Sequence, residues 1–250
     1  MSLFALLPLI GITSLVLTMV GLGGGLIFSP LFVLLGYPVS TAVSASLFCN
    51  GIAALSAAIT YFRKKMVDIH IGVPLIISSS LAAPVGAYAT ARVDARLFMS
   101  ILAVVIFMAS LRMLFSGKAA SEEIDISTLR KVIGGGAIGI AIGFIAGLLG
   151  IGGGVFIVPL LIYALKVPTK IAAATSIFIV VFSSFSGFAA HISIASPDWT
   201  FIGLAAVFSF AGGQIGSRIM AEKLKGKAIR RIFGVVLLLF VIKLLQKAMG

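Results

Sequence analysis

The chain is poor in charge, and poorest in negative charge. Of its 250 residues only 7 are Asp or Glu, and charged residues make up 10%, where a soluble globular domain carries about 25%. That deficit excludes an ordinary soluble fold. One cysteine, Cys49, excludes a disulfide framework and a cysteine-based metal site. No cluster of metal ligands and no Ser paired with His at a recognisable spacing occurs, so no cofactor, no metal and no enzymatic chemistry is expected. The carboxylates Asp68, Asp94, Glu122, Glu123, Asp125, Asp198 and Glu222 all fall at expected loops or helix ends, which leaves none in mid-membrane for a proton relay. Asp68 and Asp198 each precede an apolar run and are expected to cap the helices that follow.

What fills the chain instead is apolar. Hydrophobic residues make up 60% and mean hydropathy is +1.24. Runs at residues 3–20, 41–62, 69–91, 97–115, 132–149, 169–194, 199–220 and 229–248 reach or approach the roughly 20 residues that a helix needs to cross the hydrocarbon. Two shorter runs, 26–35 and 155–165, fall well below that length. The first run lacks a basic leader and a clear cleavage site, and reads as a mature helix. A net charge of +12 is compatible with nucleic-acid binding, but the basic residues cluster in loops between apolar runs, as cytoplasmic loops require. The expected surroundings are therefore a lipid bilayer, the cytoplasmic membrane, with multiple passes and no nucleic acid. Oligomeric state stays open.

Each short run follows a glycine knot: Gly21-Leu22-Gly23-Gly24-Gly25 ahead of Pro30, and Gly150-Ile151-Gly152-Gly153-Gly154 ahead of Pro159. Glycine loses the most backbone freedom on ordering and breaks helices, so a knot that recurs at half the chain length marks a duplicated unit with an interrupted helix in each copy. The copies align further: Pro38 with Pro168, Ala45-Ser46-Leu47-Phe48 with Thr175-Ser176-Ile177-Phe178, Asp68 with Asp198, Gly86 with Gly216. The expected organisation is a first transmembrane repeat over 1–115, a polar cytoplasmic linker over 116–131 and a second repeat over 132–250.

Whether the repeats are parallel or inverted turns on the short runs. A single crossing by long and short run together splits the basic residues almost evenly between the two sides. A hairpin that returns to its starting side places fifteen of the 19 Lys and Arg on one face and leaves Arg92, Arg96, Lys243 and Lys247 on the other. That asymmetry is the signal that orients membrane proteins. The expected fold is an all-α polytopic membrane protein built as an inverted repeat, each half a glycine-broken hairpin and three further spans, with both termini outside.

Irregular backbone inside the hydrocarbon is tolerated only where protein or a water-filled cavity satisfies its polar groups. A helix that starts after a knot also presents unpaired N–H groups and the positive end of its dipole, which suits an anion. Gly23, Gly24, Gly25, Gly152, Gly153 and Gly154 are thus candidate ligand contacts; close helix packing is the alternative. Ser46, Asn50, Thr175, Ser176 and Gln214 offer donors inside the spans, either to the same ligand or to neighbouring helices. His191 is the side chain near a helix end that titrates near neutral pH, a candidate for coupling or an interfacial residue.

The two knots, each followed by a proline and an Ala-rich helix holding Ser46-Leu47-Phe48 or Thr175-Ser176-Ile177-Phe178, resemble the TauE/SafE sulfite exporter family, also called the toluene sulfonate uptake permease family. The resemblance covers both halves. It implies a secondary transporter for sulfur-containing anions such as sulfite, sulfoacetate or other sulfonates, of either direction. An alternating-access carrier is the leading expectation. An anion channel and, more remotely, a membrane-embedded enzyme or a non-transporting assembly factor are the alternatives.

Overall fold

In a computed structural model the chain is described over residues 3–23, 27–28, 31–32, 37, 39–90, 107, 110–111, 113–115, 128–149, 154–191 and 199–249. Most of the described residues are helical, and none forms a strand. Their elements are α1 (Leu3–Val20), α2 (Val39–Arg63), α3 (Ile69–Thr90), α4 (Thr128–Leu149), α5 (Gly154–Tyr163), α6 (Thr169–His191), α7 (Trp199–Glu222) and α8 (Gly226–Met249). Most of the expected run at 97–115 and the linker up to residue 127 lie outside the described residues.

The starts and stops follow local chemistry. Asp68 caps α3 by accepting a hydrogen bond from the His70 backbone N–H at 3.1 Å, as expected; Asp198 lies outside the described residues. Helix α1 ends where Gly21 and Gly23 take left-handed φ values of 86° and 68°, a region open to glycine at no steric cost. Three segments, Ser44–Arg63, Thr169–Ser186 and Trp199–Glu222, are long and apolar enough to cross a membrane, and Leu6–Val20, Ile69–Ala82, Val132–Phe144 and Gly154–Tyr163 are shorter apolar helices. With 10 residues, α5 is about 15 Å long, half the hydrocarbon thickness. Large apolar side chains stand outward, among them Ile12, Leu81, Val207 and Leu239, where lipid is their natural solvent.

Side-chain pairs fix the directions of the helices. Along α2 and α6, Phe48 meets Phe185 and Phe188, Asn50 meets Ser184, and Phe62 meets Phe178. One number falls as the other rises, so these equivalent helices run antiparallel. Helices α2 and α7 run parallel: Ser56 bonds the Phe210 carbonyl, Thr60 bonds Gln214, and Lys64 pairs with Glu222 at 2.8 Å. Helix α1 also runs parallel to α7, because Gly212 packs on Gly11 and Gly216 on Leu15. Hence α1 and α2 point the same way, and the chain between them must turn back. Phe28 and Phe32 pack with Leu6, Leu7 and Ile10 near the start of α1, which is the return. In the second half Gly134, near the start of α4, touches Leu165 just beyond α5, so α4 and α5 form a hairpin as well.

The two halves hold each other by exchange. The first helix of each half packs on the other half, α1 on α7 and α4 on α3. Glycines make both crossings close: a Cβ at Gly135 would lie 2.9 Å from the Ile71 carbonyl oxygen, one at Gly139 would collide with Ser78 Oγ, and one at Gly143 with the Ser79 carbonyl. Helix ends then sort by character. The ends of α2 and α7 and the starts of α6 and α8 gather Arg63, Lys64, Lys65, Lys166, Lys170, Arg218, Lys223, Lys225, Lys227, Arg230 and Arg231 at one end of the bundle. The opposite end carries aromatic contacts, Tyr37 on Phe201 and Phe188 on Trp199, the usual interfacial residues.

Candidate functional site

The glycine breaks of the two halves touch. A Cβ on Gly154, the first residue of α5, would lie 2.8 Å from the Leu22 carbonyl oxygen and 3.1 Å from Val180 Cγ2. A Cβ on Gly23 would lie 2.8 Å from Val180 Cγ1 and collide with Asn50 Oδ1. Val180 near the middle of α6 and Asn50 near the middle of α2 thus bracket the junction. Glycine at 154 brings its backbone against the Leu22 backbone, and glycine at 23 lets the Asn50 and Val180 side chains close on the break. Gly24, Gly25, Gly152 and Gly153 lie outside the described residues.

Polar side chains close the junction. Asn50, 6% exposed, donates through Nδ2 to Ser184 Oγ at 2.7 Å. Ser176, fully buried, donates to the Gly21 carbonyl at 2.7 Å, which satisfies a backbone oxygen left over where α1 stops. Ser46, the repeat equivalent of Ser176, is equally buried on α2 one turn before Asn50. The breaks, Asn50, Ser176 and Ser184 therefore form one buried polar cluster in an apolar surrounding, the setting in which hydrogen bonds are strongest and unpaired groups most costly.

Other expected residues lie elsewhere. Thr175 Oγ1 accepts from the Asp68 backbone N–H at 3.0 Å, which ties α6 to the turn between α2 and α3 at the cationic end. Gln214 donates to Thr60 Oγ1 at 3.0 Å and accepts from Ser56 Oγ at 3.1 Å, a clamp between α7 and α2. His191 ends α6, and its side chain lies outside the described residues. Two contributors carry no ligand signal in the sequence: Ser184 stands beside Ser183 and Ser186, hydroxyls of the kind that commonly bond between membrane helices, and Val180 is apolar where its repeat equivalent is the polar Asn50.

The family profile described as "Sulfite exporter TauE/SafE" matches residues 6–244. The chain belongs to the TauE/SafE sulfite exporter family. Among its relatives, the probable membrane transporter protein YunE of Bacillus subtilis (strain 168) is 28% identical, with 94% of this chain and 95% of that one covered. A probable membrane transporter protein of Xylella fastidiosa (strain 9a5c) is 26% identical over 91% of this chain and 89% of its own. The probable membrane transporter protein MJ0441 of Methanocaldococcus jannaschii is 26% identical over 78% of this chain and 76% of its own. No solved structure matches significantly. As a TauE/SafE member with apolar helices of spanning length, the chain is a membrane transporter by kinship, and its two glycine breaks fall well inside the matched residues.

Proposed function

We propose that this protein is a secondary transporter of the cytoplasmic membrane that moves a small sulfur-containing anion, such as sulfite, sulfoacetate or another sulfonate, by alternating access. The observation that carries this reading is the meeting of the two glycine breaks, Gly23 and Gly154, beside Asn50 in the middle of α2 and Val180 in the middle of α6. Inverted-repeat transporters keep their sites at the repeat interface, between interrupted helices whose amino ends face anions. The amino end of α5 is such a terminus, and no described carboxylate stands near it to repel negative charge.

An inverted repeat is supported by two features. Equivalent helices α2 and α6 run antiparallel, and each half's first helix packs on the other half. An axis along the membrane normal would make equivalent helices parallel. The buried junction corresponds to an occluded state. Access from either side then requires α2 and α6 to part on one side of the Asn50–Ser184 bond and close on the other.

Coupling is carried by the anion's own proton or by the membrane potential, worth about 2.3 kcal/mol per elementary charge per 100 mV. Proteoliposomes test the proposal with sulfite, thiosulfate, sulfoacetate and taurine. Saturable flux of at least one of them is expected. Flux that never saturates favours an anion channel, and no flux of any sinks the carrier reading.

A further inference from the structure

Arg230 is the anomaly outside the glycine junction. It is only 4% exposed, and its Nε and Nη1 groups have no hydrogen-bond partner. The guanidinium is a fixed cation with five donors, and a buried cation without a counterion is strongly unfavourable.

Its neighbours along α8 define where it faces. One turn earlier, a Cβ on Gly226 would lie 3.3 Å from Thr169 Cβ, at the first residue of α6. Residues 226, 230 and 234 share a helix face; a Cβ on Gly234 would lie 2.7 Å from Leu114 Cγ and 3.2 Å from the Ser110 carbonyl oxygen, and a helical side chain leans back over the preceding turn, so Arg230 leans toward Gly226 and Thr169 at the amino end of α6. The first hydrogen bond of that 23-residue helix runs from the Ala172 N–H to the Pro168 carbonyl. The N–H groups of Thr169, Lys170 and Ile171 precede that bond, where an α-helix offers them no intrahelical acceptor. A positive helix end and a buried guanidinium whose Nε and Nη1 groups lack partners therefore lie close together.

Among the described residues no charge supplies the missing anion; Glu122, Glu123 and Asp125 lie outside them. Lys166, Lys170, Lys223, Lys225, Lys227 and Arg231 occupy the same end. The described carboxylates nearby are Glu222, which faces Lys64 at 2.8 Å, and Asp68, which caps α3.

We infer that Arg230 and the amino end of α6 form a binding site for a tetrahedral oxyanion group, phosphate or sulfate in type, at the cationic end of the bundle. The planar guanidinium takes such a group through two parallel N–H bonds, and the α6 N–H groups take its remaining oxygens. Two sources share that chemistry, an anionic lipid headgroup and a free solute anion. The site is remote from the glycine junction and stands whether or not that junction binds substrate.

The test is thermal unfolding of the purified full chain. Inorganic phosphate and sulfate are titrated against sodium chloride at equal ionic strength, and phosphatidylglycerol nanodiscs are compared with phosphatidylcholine ones. A bound anion at a hundredfold excess over its Kd raises the unfolding temperature by roughly 5 degrees or more. A rise with free phosphate or sulfate identifies a solute, and a rise with phosphatidylglycerol alone identifies a lipid headgroup. In either case Arg230→Met abolishes the rise. Arg230→Lys keeps the charge without the two-pronged geometry, weakens half-saturation at least tenfold, and decides the matter if the Met variant fails to fold. No rise in any arm, or an unchanged half-saturation in the variant that folds, overturns the inference.

Discussion

Replacing Gly23 by Ala adds one methyl group at the point where the two halves touch. Gly23 has φ of 68°, and a residue with a Cβ loses about 1–2 kcal/mol in that left-handed region. The new methyl would meet Val180 Cγ1 at 2.8 Å and collide with Asn50 Oδ1. Moving Asn50 aside breaks its 2.7 Å bond to Ser184, and leaving a buried polar group unpaired costs about 1–3 kcal/mol. The sum is about 2–5 kcal/mol against the closed junction, a factor of thirty or more in its population. Reconstituted flux and denaturant unfolding are measured on Gly23→Ala, Asn50→Ala and the double variant. Flux and stability both fall in Gly23→Ala, and the two substitutions couple by at least about 1 kcal/mol, because removing Asn50 removes the collision. Wild-type flux and stability in Gly23→Ala, or strict additivity in the double variant, would refute the close approach on which the site is built.

Three further outcomes follow from the packing. Gly139→Ala pushes α3 and α4 apart through Ser78 and the Leu75 carbonyl and lowers the unfolding midpoint. Gly136→Ala, where a Cβ meets nothing within 4 Å, leaves it unchanged or raises stability by up to about 1 kcal/mol; equal losses at both positions would contradict the packing. Gln214→Leu strands Thr60 between α2 and α7, while Ser56 keeps its bond to the Phe210 carbonyl, and costs about 1–3 kcal/mol in unfolding, whereas an unchanged midpoint with lost anion affinity would move Gln214 into the ligand site. With buried Cys49 replaced by Ala, cysteines at Lys225 and Thr200 label with an impermeant thiol reagent from opposite faces of the membrane; labelling from one face contradicts the charge-based orientation.

Much of the architecture is legible in the sequence, and the reasons are physical. A helix must stop at a left-handed glycine, so the break after Val20 shows in Gly21 and Gly23. The direction of α2 relative to α1 follows from keeping Arg63, Lys64 and Lys65 on the same face as Lys166 and Lys170, which a hairpin alone achieves. Most helix ends fall within a few residues of the apolar runs, because the bilayer rewards burial of a run up to its first charge. The junction's chemistry is less legible. Asn50 bonds Ser184, whose repeat equivalents are Val180 and Ala54, so comparing the two copies hides the pair. Gln214 reads as an amide in search of a ligand because its true neighbours, Ser56 and Thr60, lie more than 150 positions away. Arg230 reads as one loop cation among several, since nothing in a basic run distinguishes the member that turns inward.

A crystal structure of the wild-type protein with selenite or another selenium oxyanion, located by its anomalous signal, tests anion binding at the glycine junction. A peak between Gly23 and Gly154, beside Asn50, that sulfite displaces is the expected result. Saturating anion with no peak at that junction, or a sulfite-displaceable peak only elsewhere, would contradict it.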